Sequence, residues 1–88
     1  GVGRQTAKSR LTYKLQRELD NLPGTISRLE GEVESLRKEV AAPGFYEHPY
    51  DMTRPVLDRL QITEAELEAA VERWAELEEA GDAIKDAR

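Results

Sequence analysis

Cysteine is missing from this 88-residue chain, and disulfides, zinc–thiolate sites and thiol catalysis are excluded with it. Histidine occurs once, as His48 between Glu47 and Pro49, so no histidine cluster exists and we assign His48 no role. No apolar run approaches the ~20 residues that a membrane span requires, and no signal-peptide pattern opens the chain. A GxxxxGK[ST] phosphate loop and an H-E-x-x-H pair are both lacking. The 18 acidic residues are numerous, but a solvated helix face accounts for them without any catalytic role. What remains is contact rather than chemistry: a single small domain with a thin core, no enzyme activity, and no metal or cofactor of its own. The opening Gly1-Val2-Gly3 reads as an expression scar or the tail of a linker, so we expect a soluble piece of a larger polypeptide. A cytoplasmic location is a separate expectation.

Charge is present in quantity and unevenly placed. The net charge is −5. Residues 1–17 carry Arg4, Lys8, Arg10, Lys14 and Arg17 with no acid, whereas residues 64–88 hold nine acids against Arg73, Lys85 and Arg88. An acidic whole argues against indiscriminate nucleic-acid binding, and a basic end leaves one end able to bind.

The strongest pattern is a heptad. Leu15, Leu19, Leu22, Ile26, Leu29, Val33, Leu36 and Val40 alternate steps of four and three, which keeps one apolar seam against a partner helix. Pro23 lacks an amide hydrogen and disfavours helical geometry at Leu22, so the pattern predicts a break there. The expected elements are a basic linker over 1–11, then a coiled-coil domain over 12–88 with helices at about 13–21, 23–41 and 54–80. Thr12 is the expected N-cap. Pro43-Gly44 should end the second helix, and Phe45, Tyr46, Tyr50 and Met52 should plug the hairpin end.

The third helix would place Leu57, Leu60, Leu67, Val71, Trp74, Leu77 and Ile84 on the seam, with Glu64 in one seam place and Trp74 packed in the core. Thr63-Glu64-Ala65-Glu66 also fits a capping box, so a fresh helix start at Glu64 is an open alternative. Residues 11–41 and 54–84 are of equal length, and the fold class is therefore all-α, an antiparallel two-stranded coiled-coil hairpin with its first arm broken at Pro23. Such a hairpin satisfies its own seam and should be a monomer.

The outward face of the first arm is unusual. With Leu19 as heptad position a, the outward c and f places hold Lys14, Arg17, Asn21, Gly24, Arg28, Gly31, Ser35 and Lys38, with Arg10 extending the stripe. No acid occurs there, while Glu18, Asp20, Glu30, Glu32, Glu34 and Glu39 all fall at b, e or g. Gly24 and Gly31 each cost a helix ~1 kcal/mol against alanine, and no internal packing on an outward face explains them. They would let a ligand backbone approach closely. One explanation is a stripe that tracks phosphates through Arg10, Lys14, Arg17, Arg28 and Lys38. The other is internal, with Arg10 or Lys14 pairing to Glu76, Glu78 or Glu79 across the hairpin.

Leu11-Thr12-Tyr13-Lys14-Leu15-Gln16-Arg17-Glu18-Leu19-Asp20-Asn21-Leu22-Pro23 resembles the L-[ST]-Y-K-x-Q-R-E-L-x-x-L-P opening of the C-terminal coiled-coil domain of ABC-F ATPases of the Uup type. Ile26 to Glu30, Phe45-Tyr46, and Glu72 to Glu78 follow the family's later blocks in order, so the resemblance spans about residues 10–80. Leu15, Gly24 and Pro43-Gly44 depart from the family's usual residues. The resemblance implies a DNA-binding appendage joined by a basic linker to two ATP-hydrolysing cassettes that hold ATP and Mg and lie outside this chain. Ribosomal RNA is a second implied ligand, because related ATPases act on ribosomes. Of the stripe, only Lys14 and Arg17 fall in the matched opening block. A hairpin that docks or dimerises with another protein, with no nucleic-acid role, is the alternative.

Overall fold

The computed structural model describes the backbone of residues 11–86 and the side chains of residues 11–82. Arg10, nearly all of the expected basic linker and the side chain of Ile84 lie outside that range. Two long helices, α1 (Tyr13–Ala41) and α2 (Tyr50–Asp86), run antiparallel and are joined through a 3₁₀ turn at Phe45–Glu47. The molecule measures 67 × 19 × 15 Å, so it is a rod two helices wide.

Helix α1 begins where the sequence marks it. Thr12 has extended backbone geometry and its Oγ1 accepts from the Leu15 amide at 3.2 Å, satisfying one of the first-turn donors. The heptad then places its side chains as the spacing requires. All eight seam residues from Leu15 to Val40 are half-buried or buried, with Leu29 and Val33 at the centre.

The expected break at Pro23 does not divide this arm: a single helix of 29 residues runs through it. Proline removes the hydrogen bond to the Leu19 carbonyl, at a cost of about 3 kcal/mol in a helix interior. Leu22 and Ile26, half-buried on either side, hold the segment against α2. The apolar seam thus outweighs the local preference.

Pro43-Gly44 ends α1 as expected. Gly44 takes φ +88°, the left-handed region that favours glycine. The amides of Phe45, Glu47 and His48 return to the carbonyls of Ala42, Gly44 and Phe45, closing a short turn. Of the four bulky residues expected to plug this end, only Phe45 does so, at 7 % exposure. Tyr46, Tyr50 and Met52 are exposed, because the turn is shorter than expected and Tyr50 and Met52 already belong to the first turn of the next helix, Tyr50–Asp86.

Helix α2 starts four residues before the expected Arg54. The Pro49 carbonyl accepts from the amides of Met52 and Thr53 at 2.9 and 3.1 Å, so Pro49 supplies the start and Pro55 falls inside the helix. The alternative start at Glu64 is also overturned, since α2 is unbroken there. Thr63 is fully buried, and its Oγ1 donates to the Arg59 carbonyl at 2.7 Å, four residues back in the same helix. The seam of α2 is consequently richer in small residues than the apolar pattern suggested. Thr53, Leu60, Thr63, Leu67, Ala70 and Leu77 all lie against α1, whereas Val71 and Trp74 are 43 % and 36 % exposed.

Candidate nucleic-acid interface

The outward face of α1 is built by the same heptad that builds the seam, since positions c and f lie opposite a and d. Lys14, Arg17, Asn21, Gly24, Arg28, Gly31, Ser35 and Lys38 are all exposed. An added Cβ at Gly24 or Gly31 would meet no atom within 4 Å, so the fold itself does not require glycine at either place.

The four described cations fall into two pairs. Arg28 donates to Glu32 Oε1 at 2.8 Å, and Lys38 lies 3.4 Å from Glu34. These are exposed pairs one helical turn apart, of the kind that contributes about 0.3–0.5 kcal/mol, and a phosphate competes with them readily. Lys14 and Arg17 make no ion pair among the described residues. Arg17 instead donates from Nη1 to the Tyr13 hydroxyl at 3.1 Å, and Tyr13 is itself 76 % exposed. No bridge joins Lys14 to Glu76, Glu78 or Glu79, and the internal explanation of the stripe loses its described half. Arg10 lies outside the described residues.

The pairs that do cross the hairpin use other residues. Arg73 donates from Nε and Nη2 to the two oxygens of Glu18, at 2.6 and 3.0 Å. That bidentate bond, helped by the charges of Arg73 and Lys14, holds the Glu18 carboxyl below its ordinary value. Glu64 accepts from Arg37 at 2.6 Å, which explains how a carboxylate occupies a seam place, and Arg59 reaches Glu32 at 3.5 Å. Two acids of α1, Glu18 and Glu32, are thus held at the edges of the seam by cations of α2.

Two features were not legible as surfaces. Pro23, Ile26, Val71 and Trp74 line a shallow apolar groove of about 320 Å³ along one edge of the rod. Tyr13 was visible only as part of a matched block, although the heptad register that makes Leu19 position a puts it at b, off the seam. Among the described residues no group of acidic or histidine side chains is arranged to hold a metal, and no helix is long and apolar enough to cross a membrane.

An antiparallel two-helix coiled coil offering contact surfaces, with the family's motif blocks along it, is an appendage domain. Residues 10–79 match the family described as the ABC transporter C-terminal domain, and the chain belongs to that family. It is 47% identical over 70 residues to the Haemophilus influenzae ATP-binding protein Uup-like, covering 80% of this chain and 15% of that protein. It is 44% identical over 72 residues to the Escherichia coli ATP-binding protein Uup, covering 82% and 11%. The chain thus spans a small fraction of these relatives. A solved structure described as the C-terminal domain of the Uup protein, a DNA-binding coiled coil motif, superposes with a TM-score of 0.78 at 40% identity, covering 89% of this chain and 91% of that one.

Proposed function

We propose that this chain is a non-catalytic DNA-binding coiled coil that holds phosphates along the outward face of α1. Lys14, Arg17, Arg28 and Lys38 make the contacts, and Arg10 extends them toward the segment that precedes the helix. The observation that carries this reading is the sorting of charge: eight outward positions are all exposed and none is acidic, in a chain with 18 acids. The DNA-binding description of the solved relative supports it. Phosphate contact of this kind fixes position and supplies affinity with little sequence preference. Ribosomal RNA presents the same phosphates and is a second ligand of this reading. The relatives' names as ATP-binding proteins support a cytoplasmic ATPase parent whose cassettes bind ATP with Mg, and this domain would tether those cassettes to nucleic acid.

A protein-docking hairpin is the second reading, favoured by the exposed Val71 and Trp74 in the apolar groove. Salt separates the two, because apolar docking barely responds to it. Fluorescence anisotropy with duplex DNA, single-stranded DNA and a ribosomal RNA fragment, across a salt series, is the test. Four phosphate contacts give a log–log slope of about −3.6, from about −0.9 per phosphate, and Arg17→Ala should flatten it by about one contact. Arg54→Ala removes a cation from α2, off the stripe, and should change little. Glu34 is unsuitable as a neutral control, since its loss frees Lys38. Unchanged affinity and slope in both Lys14→Ala and Arg17→Ala would reject the stripe and leave docking as the function.

A further inference from the structure

Tyr13 is the first residue of α1 and, at 76 % exposure, a large aromatic ring left to solvent. Burying such a side chain is among the stronger contributions available to a thin core, and this fold forgoes it. The ring is nevertheless positioned. Its hydroxyl accepts from Arg17 Nη1 at 3.1 Å, and the guanidinium carbon lies 5.8 Å from the ring centroid. With the guanidinium over one face of the ring, the exposure of the residue still leaves ring surface free for a ligand. Lys14 is the next residue and Arg17 lies one turn on, and these are the two stripe cations that make no salt bridge among the described residues.

We propose that Tyr13 is a stacking platform for an unpaired base, so that the open end of α1 takes single-stranded nucleic acid or a frayed strand. This rests on the phosphate-binding reading and names its ligand more narrowly. A base has an exposed π-face only when it is out of a duplex, and an exposed aromatic ring beside cations is the combination that single-strand binders use. Arg17 serves both parts, aligning the ring through its hydroxyl and meeting a phosphate of the strand stacked on it. The rest of the stripe requires only phosphates and accepts either strand state.

Anisotropy with an oligothymidylate, the same strand carrying abasic sites, and a blunt duplex tests the proposal on the whole chain. Tyr13→Ala should lower affinity for the oligothymidylate about tenfold, within the range measured for loss of one base–aromatic stack. Affinity for the abasic strand and the duplex should be unchanged. Tyr13→Phe, which loses the hydroxyl, and Tyr13→Trp should both retain most of the oligothymidylate affinity. Far-UV circular dichroism checks that the helix is intact, as expected for an exposed first-turn residue. Equal losses on all three probes would overturn stacking, because the ring would then act only by holding Arg17. No loss on any probe, with Arg17→Ala still weakening all three, would overturn stacking and keep the phosphate face. Absence of binding to every probe by the unaltered chain would end both readings.

Discussion

At the scale of single residues, the Glu18–Arg73 pair sets how the open end responds to acid. Arg73 donates two hydrogen bonds to the Glu18 carboxylate, which lowers that group's pKa and raises that of the guanidinium. A carboxyl whose folded pKa lies below its unfolded value contributes stability above the unfolded value, about 4.3 for glutamate, and loses it as pH falls through the folded one. Carboxyl-carbon NMR should therefore find Glu18 titrating below the ordinary value of a glutamate. Arg73→Gln should move Glu18 back up and reduce the dependence of stability on pH in that acid window. An unshifted Glu18 in the unaltered chain would mean that the pair does not persist in solution. Gly31 offers a test of a different kind. Alanine there meets nothing within 4 Å and should stabilise the helix by about 1 kcal/mol, read as a higher urea midpoint. If a ligand backbone approaches this face, the same variant should bind duplex DNA more weakly while folding better.

At the scale of elements, α1 was almost fully legible and α2 was not. The eight seam residues of α1 are long aliphatic side chains in unbroken heptad register, and the outward face follows from that register by geometry alone. Helix α2 places Thr53, Thr63 and Ala70 on its seam, and composition does not distinguish such residues from a solvated face. Thr63 was legible as a helix cap because threonine hydroxyls bond backbone in both settings, and only burial tells them apart. The exposed tyrosines of the turn were misplaced because size and apolarity say nothing of how tightly residues 42–49 close. Pro23 was read correctly as chemistry and wrongly as geometry: its missing hydrogen bond is real, but packing at Leu22 and Ile26 keeps the helix going. Pro23→Ala should therefore raise the urea midpoint and helical ellipticity, by up to about 3 kcal/mol less the contact that Pro23 makes in the Trp74 groove. A lowered midpoint would mean that the seam depends on the shape proline imposes.

At the scale of the whole molecule, the question is which chain closes the seam. Every described seam position of α1 is covered by α2 of the same chain, and a parallel pairing of two α1 helices would leave α2 without a partner. The isolated chain should sediment as an elongated monomer, consistent with its 67 Å length, across the micromolar range. A dimer whose population does not change with dilution would defeat this. The closure itself hangs on the short turn between two long helices, and Gly44 is its point of least tolerance. At φ +88° any other residue except asparagine or aspartate is strained by about 1–2 kcal/mol. The nearby Glu47 carboxylate, 2.8 Å from where a Cβ would stand, adds little, because the end of that side chain can move aside. Gly44→Ala should thus destabilise the turn while leaving both helices and their seam intact. The seam can then be satisfied by exchanging arms between two chains, which keeps every helix–helix contact and relieves the turn. Gly44→Ala should lower the thermal midpoint at low concentration and populate a dimer at high concentration, with unchanged helical content. A variant that stays monomeric at high concentration while losing stability would show that the turn, once strained, still closes within one chain.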